Sequence, residues 1–426
     1  MAELTVMHRR RSSFRIRKVF LLPILFAACF WRSADAGDLS LAGYIKSYLF
    51  VYRPVSAVGP QSVTELSTNR VRLNLIYRHQ NRISMNVAYD FVPRFQSEVL
   101  QSNSPLPGQI NPFTYRISDL KKILYPAGTR DLHNFALGQN LDRASVAFHT
   151  RQADITIGRQ AIAWGSARAI NPTDVLAPFP FEALDTEDRI GIDAVRAQIP
   201  LGTLSELDAG FIFGKGLKFA NDAFYGRTKF NLRKTDISLL FMGFRENALM
   251  GFDLARSIGG AGFWLESACV FPDAFDDELE RSEAYFRIST GMDYSFSQKT
   301  YSFVEYHFNG AGASLAGDYA KSLANPAYTE GSDYLLGRHY LIPGTSYQLT
   351  PLIALTGQAL INMTDRSLYL TPQAEYNIAS NLYIGAGAFI AIGRRPSQSI
   401  NSTGPALRSE FGSYPSFYFG SIRYYF

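Results

Sequence analysis

Residues 70–91 read Arg-Val-Arg-Leu-Asn-Leu-Ile-Tyr-Arg-His-Gln-Asn-Arg-Ile-Ser-Met-Asn-Val-Ala-Tyr-Asp-Phe. Val71, Leu73, Leu75 and Tyr77 fall on one side of a period-two pattern, and Arg70, Arg72, Asn74 and Arg78 on the other. After a polar turn at His79–Arg82, Ile83, Met85, Val87, Tyr89 and Phe91 interleave with Ser84, Asn86, Ala88 and Asp90. Successive side chains of a strand point to opposite faces, so this stretch predicts an antiparallel hairpin with one apolar and one charged face. A sheet that crosses a bilayer needs that division, with lipid on one side and an aqueous lumen on the other. It must also close into a barrel, because lipid offers no partner to an unpaired backbone group.

The pattern recurs along the chain. Phe224, Thr228, Phe230 and Leu232 oppose Tyr225, Arg227, Lys229 and Asn231; Phe286, Ile288, Met292 and Tyr294 oppose Arg287, Ser289 and Asp293. Leu368, Leu370 and Ala374 oppose Thr371, Gln373 and Glu375, and Leu382, Ile384, Ala386 and Ala388 alternate with Tyr383, Gly385, Gly387 and Phe389. Short polar turns, as at Thr150–Ala153, Arg233–Asp236 and Phe296–Lys299, alternate with longer connections such as Phe271–Arg281. The reading is an all-β transmembrane antiparallel barrel of about 18 strands, within about 16–20. Its long external loops are expected near 93–139, 163–189 and 309–337. The stretch 337–351 fits least well, because Pro343 and Pro351 interrupt it. The 32 Phe and 24 Tyr recur at strand ends, as at Tyr89/Phe91 and Phe211/Phe213. Interfacial girdles need that placement, and a soluble sandwich or exported β-helix does not.

The N-terminus has the three-part layout of a cleaved export signal over 1–36. Arg9, Arg10, Arg11, Arg15, Arg17 and Lys18 precede an apolar run from Val19 to Trp31, and Ala34-Asp35-Ala36 offers small residues for cleavage. This segment carries seven Lys/Arg and two acids, so the whole +5 formal charge belongs to it, and residues 37–426 are neutral. The basic balance therefore gives no reason to expect a nucleic-acid partner. Cleavage would leave Cys269 as the one cysteine, which excludes an intramolecular disulfide, a thiolate metal cluster and a Cys-x-x-Cys-His haem attachment. After residue 36 no 18-residue apolar stretch occurs, so helical membrane spans are excluded, and 37–426 reads as one barrel domain.

The sequence ends Ser416-Phe-Tyr-Phe-Gly-Ser-Ile-Arg-Tyr-Tyr-Phe426, with Ile422, Tyr424 and Phe426 on one face. This resembles the C-terminal assembly signal of Gram-negative outer-membrane proteins. The resemblance implies the barrel-assembly machinery and outer-membrane lipid as partners; the short and long connections place both termini in the periplasm if the strand number is even.

One segment stands apart. Gly158-Arg159-Gln160-Ala161-Ile162-Ala163-Trp164-Gly165 runs off a strand into Asn171-Pro172-Thr173-Asp174-Val175, followed by Pro178, Pro180, Glu182, Asp185, Glu187 and Asp188. The arrangement of Arg159, Trp164, Gly165, Asn171 and Pro172 resembles a segment of porin-like outer-membrane proteins, and Asn362-Met-Thr-Asp365-Arg-Ser367 has a similar character. Trp164, Phe179 and Phe181 supply apolar weight that a loop hanging in water does not need. By resemblance to general-diffusion porins, whose third external loop folds inward, this segment is expected to narrow the pore. Asp174, Glu182, Asp185, Glu187 and Asp188 would then face a basic wall of Arg70, Arg72, Arg78, Arg227 and Lys229, setting ion preference through a transverse field.

The functional expectation is a passive channel for small polar solutes or ions, with no cofactor and no metal. His79, His133, His149, His307 and His339 show no ligand spacing, and the acidic run 273–280 lacks the spacing of a calcium loop. Glu305 and His307 share a strand face, but an enzyme also needs an aligned nucleophile, and none is readable. The alternative is a sleeve whose lumen houses a partner, such as a multihaem cytochrome or an exported polymer. Self-association and a periplasmic or lumenal partner stay open.

Overall fold

The hairpin at 70–91 forms with Val71 opposite Phe91 and His79 opposite Ile83. Gln80 and Asn81 take the turn with φ of 48° and 54°. Two consecutive left-handed residues make the tight turn whose twist matches the flanking strands. Arg233/Lys234, Arg245/Glu246 and Gly259/Gly260 repeat the device.

The computed structural model describes residues 37–55, 63–96, 100–101, 113–126, 131–132, 134–179, 181, 183–276, 282–330, 333–397 and 406–426. The expected signal segment lies outside these residues, as do Pro180 and Glu182. Eighteen strands form the wall. In chain order they are β1 (Asp38–Tyr52), β2 (Thr64–His79), β3 (Ile83–Gln96), β4 (Phe135–His149), β5 (Asp154–Gln160) and β6 (Ile192–Pro200). Next come β7 (Glu206–Phe213), β8 (Ala223–Leu232), β9 (Thr235–Phe244), β10 (Asn247–Ile258), β11 (Ala261–Phe271) and β12 (Tyr285–Ser295). The circuit finishes with β13 (Thr300–Asn309), β14 (His339–Thr350), β15 (Ile353–Asn362), β16 (Ser367–Leu370 and Gln373–Ala379), β17 (Leu382–Ile392) and β18 (Phe417–Tyr425). Each pairs antiparallel with its neighbours, and β1 closes on β18 from Tyr44 opposite Tyr425 to Tyr52 opposite Phe417.

Connections of two to five residues join the strands at one end, and the longer ones lie at the other. Two connections at the long-loop end depart from the expected asymmetry: Arg245/Glu246 and 363–366 are short. The doubtful stretch is a strand. Pro343 sits opposite Val304 on one side, while the ladder to β15 is interrupted between Leu341 and Gly344, because proline has no N–H to give. Pro351 falls in the following turn.

The alternation sorts as read. Leu73, Leu75, Ile155, Ile157, Met250, Ile384, Ile422, Tyr424 and Phe426 are exposed on the outer surface. Arg72, Asp90, Tyr225, Arg287 and Phe389 are buried inside. An apolar exterior around a closed ladder reverses the usual soluble arrangement. Two apolar clusters fill much of the interior. One gathers Tyr115, Ile162, Leu176, Tyr225 and Met242; the other gathers Tyr340, Leu360, Tyr369, Phe411 and Phe419.

The wall has one irregularity that positions the site. β5 stops at Gln160, where the chain turns into the lumen, yet β4 continues upward to Phe135. A segment of the long connection between β3 and β4 takes the vacated place: Ile123 pairs with Gly138, Gln139 N donates to Lys122 O (2.8 Å), and Asp193 N donates to Tyr115 O (2.9 Å). Arg116 and Arg159 fasten it. Arg116 reaches Asp119 (3.0 Å) and Asn140 (2.7 Å); Arg159 reaches Asp193 (2.7 Å), Ser118 O (2.7 Å) and Leu141 O (2.9 Å).

Candidate functional site: a strap across the lumen

Residues 161–191 leave β5 and rejoin the wall at β6. Gly158 and Gly165 make the departure possible, with φ of 111° and 116°. A Cβ at Gly165 would lie 2.5 Å from Asn171 Oδ1 and 2.7 Å from the Glu266 carboxylate. Trp164 packs on Tyr225, ring centroids 4.7 Å apart.

The first end of the strap is held by two buried carboxylates. Glu266 on β11 accepts from Ser166 N (3.1 Å), Ala167 N (3.1 Å), Thr173 N (3.0 Å) and Thr173 Oγ1 (2.7 Å). Glu305 on β13 accepts from Arg168 N (2.7 Å), Ala169 N (3.3 Å), Ile170 N (2.9 Å) and Trp264 Nε1 (3.0 Å). Irregular backbone carries unpaired N–H groups, and these anions satisfy six of them. Arg287 donates to Pro172 O (2.8 Å), and Ser289, which touches His307 at 2.8 Å, donates to Ile170 O (2.6 Å). The Glu305/His307 strand face is thus occupied by the strap.

The second end is ionic. Lys46 Nζ, buried among Tyr44 and Tyr425, binds Asp185 (2.8 Å) and Glu187 (2.6 Å). Arg70 also reaches Asp185 (3.1 Å). Tyr44 donates to Asp188 (2.7 Å), Tyr425 donates to Glu187 (2.8 Å), and Arg72 lies 3.7 Å from Asp188. Arg72 itself is held by Asp90 (3.3 Å) and Asp142 (2.8 Å). In a ring of eighteen, β2 and β11 are nine strands apart, so the two ends grip opposite walls.

The acids and bases expected to oppose each other are divided. Asp185 and Asp188 meet Arg70 and Arg72, while Glu187 meets Lys46, a residue the sequence reading passed over. Asp174 meets none of the five expected bases; it pairs with Arg189 of the same strap, whose guanidinium lies 4.2 Å from the Phe179 ring, and shares a cavity with Arg287 of β12. Arg227 donates to Ser238 (3.0 Å), Lys229 lies 3.8 Å from Asp236, and Arg78 is exposed beside the His79 turn. None of these three bonds to the strap among the described residues. The opposed charges touch, so they form a latch, and no solute passes between Asp185 and Arg70. One cavity beside the strap, of about 100 Å³, is lined by Asp174, Phe179, Arg189, Arg287, Asp333 and Tyr334 among others.

A second polar knot ties the long loops together. Buried Glu410 accepts from Tyr340 Oη (2.5 Å), Asn362 Nδ2 (2.6 Å) and Leu336 N (2.9 Å). Asp365 accepts from Glu410 N (2.6 Å), Tyr319 Oη (2.7 Å) and Ser367 N (2.7 Å). This is the place of the Asn362–Ser367 run. Burial pushes the Glu410 carboxyl up to about 7. No group of three or more His, Cys, Asp or Glu is placed to hold a metal among the described residues.

No protein-family profile matches the chain, and no curated protein matches it by sequence. Solved structures do match in fold. A BenF-like porin from Pseudomonas fluorescens Pf-5 is 11% identical with a TM-score of 0.53, over 91% of this chain and 98% of that one. Pseudomonas aeruginosa OpdK, solved with vanillate, is 9% identical with a TM-score of 0.53, over 91% and 98%. Pseudomonas aeruginosa OccK2 (OpdF), solved with glucuronate, is 10% identical with a TM-score of 0.52, over 91% and 96%. The chain therefore shares the barrel fold of these porins.

Proposed function

We propose that the chain is an outer-membrane channel that lets small polar solutes or ions diffuse passively, with the short-turn end in the periplasm. The observation that carries this reading is the strap. A closed barrel with an apolar exterior needs no charged segment across its lumen merely to be stable. A segment anchored on opposite walls restricts what passes. Vanillate and glucuronate, found with two of the similar porins, are both carboxylates. The cavity beside the strap carries Arg189 and Arg287 together with Asp174 and Asp333, a lining of both charge signs that supports small polar solutes, carboxylates among them. A sleeve around a folded partner has less support, because the strap and two apolar clusters already occupy the interior. Proteoliposome swelling tests the proposal. Purified chain should admit small sugars and monocarboxylates and exclude oligosaccharides. Swelling no faster than protein-free liposomes for every solute would refute it.

A further inference from the structure

The inner wall carries a second polar cluster, at the short-turn end of the lumen and outside the strap's contacts. Ser84 on β3, His149 at the end of β4 and Asp154 at the start of β5 face inward on three successive strands. Strand register brings them together. Ala147 is opposite Ser84, which leaves His149 as the diagonal neighbour of Ser84 on the same face, and His149 is directly opposite Asp154. Ser84 Oγ lies 2.9 Å from His149 Nε2, and His149 Nδ1 lies 3.0 Å from Asp154 Oδ1.

A carboxylate can only accept, so the Asp154 contact puts the ring proton on Nδ1. Nε2 of the neutral ring is then the acceptor, and the Ser84 hydroxyl donates to it. A nucleophile is thus bonded to a base, and the base is oriented by a third group, as in a hydrolytic triad. No motif in the sequence announces it, because Ser84 and His149 stand 65 residues apart. Arg78 of β2 is directly opposite Ser84 on the inward face. Its side chain is exposed and makes no hydrogen bond or ion pair among the described residues. The Cβ atoms of such a pair lie about 4.5–5.5 Å apart, so the guanidinium has the length to reach a carbonyl oxygen held at Ser84. Strand N–H groups are spent on the ladder, and Arg78 is the donor left for a developing oxyanion. The His149 and Asp154 side chains are 37% and 51% exposed, so water and a dissolved substrate reach them. The lipid-facing side of the same strands is Ile83, Phe148 and Ile155, so membrane lipid does not.

We propose that Ser84, His149 and Asp154 hydrolyse small water-soluble carboxylic esters at the mouth of the lumen. Ser84 Oγ bonds to the carbonyl carbon as its proton passes to His149 Nε2, and Arg78 donates to the oxyanion. The ester C–O bond then breaks, and His149 returns the proton to the leaving alkoxide. Water attacks the acyl group on Ser84 and gives its proton to Nε2, which passes it to Ser84 Oγ as the carboxylic acid departs. Asp154 is a positioning residue that holds the imidazole in the required tautomer. The cluster belongs to the wall and stands whether or not the lumen conducts.

The test uses the full chain folded in detergent micelles, with p-nitrophenyl acetate as substrate and diisopropyl fluorophosphate as the serine probe. Wild type should turn over the ester and take a single diisopropylphosphoryl group, located at Ser84 by peptide mass spectrometry, with turnover lost in step. Ser84→Ala should take no label there and lose at least about 100-fold in kcat, as should His149→Gln. Asp154→Asn offers an amide N–H to Nδ1 and favours the wrong tautomer, so kcat should fall at least about tenfold with KM unchanged. Asp154→Glu should recover part of that loss, which a merely structural role would not give. Arg78→Met should lower kcat about 100-fold at constant KM. Heat-modifiable mobility of the folded barrel checks each variant. Folded wild type that takes no label at Ser84 overturns the proposal, as does turnover in Ser84→Ala equal to wild type. Turnover in Arg78→Met equal to wild type overturns the assignment of the oxyanion donor.

Discussion

Glu305→Gln isolates the strap's anchorage from the barrel. All four groups that Glu305 accepts from are obligate donors: three backbone N–H groups and the Trp264 indole N–H. A carboxylate satisfies them with two oxygens; an amide has one. The best placement of the Gln amide keeps its oxygen at the position facing Arg168, Ala169 and Trp264. Its NH₂ then meets the Ile170 N–H, donor against donor. Leaving a buried donor unpaired costs about 1–3 kcal/mol, and three hydrogen bonds falling from charged to neutral strength lose about 1 kcal/mol each. A neutral side chain is easier to bury than a carboxylate, which offsets part of this and leaves about 2–4 kcal/mol. At about 1.4 kcal/mol per factor of ten, the docked strap loses roughly 30- to 700-fold in its docking equilibrium. Hydrogen exchange with mass spectrometry in micelles reads this directly. Peptides covering 166–173 should lose at least 30-fold in protection, while β10–β13 peptides keep theirs. Protection of 166–173 within threefold of wild type would refute the claim that Glu305 anchors the strap.

Four further outcomes follow from the geometry. Lys46→Met removes the shared cation of Asp185 and Glu187 and leaves Glu187 uncompensated, so the reversal potential in a KCl gradient should shift toward cation preference; no shift would exclude these acids from the ion path. Gly165→Ala puts a methyl against Asn171 and Glu266 at a left-handed backbone position, which costs about 1–3 kcal/mol and should release 161–191 to limited proteolysis; unchanged digestion counts against it. The folded Glu410 carboxyl titrates near 7, against about 4.5 in the open chain, so the folded state holds the extra proton between those values. The loop knot should therefore loosen as pH rises from about 4.5 to 7 and change little above, as read by proteolysis of the 393–416 connection. In Glu410→Gln that pH dependence should vanish. Deleting Phe426 removes its two backbone bonds with Gly43 (2.8 and 3.0 Å), and the yield of heat-modifiable folded barrel should fall; an unaltered yield would leave the C-terminal residue without an assembly role.

The wall was legible because its physics is local. Alternation at Leu73/Arg72 or Ile384/Phe389 follows from strand geometry and from the sidedness of the environment alone. Two short connections at the long-loop end escaped the sequence reading. Arg245/Glu246 carries neither Gly nor Asn, the usual residues of a left-handed turn. The strap was legible as an inward segment, through its Trp, Asn-Pro and aromatic content. Its partners were not, since they depend on which strands stand opposite each other across a ring. Glu266 and Glu305 read as ordinary inward polar residues, and only the long-range fold reveals that irregular backbone meets them. Lys46 was missed although it shares a face with Tyr44 and Tyr48; a lone inward Lys between two Tyr was the available signal. Asp174 was expected among the acids facing that basic wall, but Arg189 of the same strap satisfies it locally.

Single-channel recording of the purified chain in planar lipid bilayers reads passage through the strapped lumen itself. Discrete steps should appear whose size scales with KCl concentration, small in wild type and larger or noisier in Glu305→Gln, where the strap undocks. Correctly folded chain that inserts and yet passes no current, in wild type and in Glu305→Gln alike, would contradict a channel narrowed by residues 161–191.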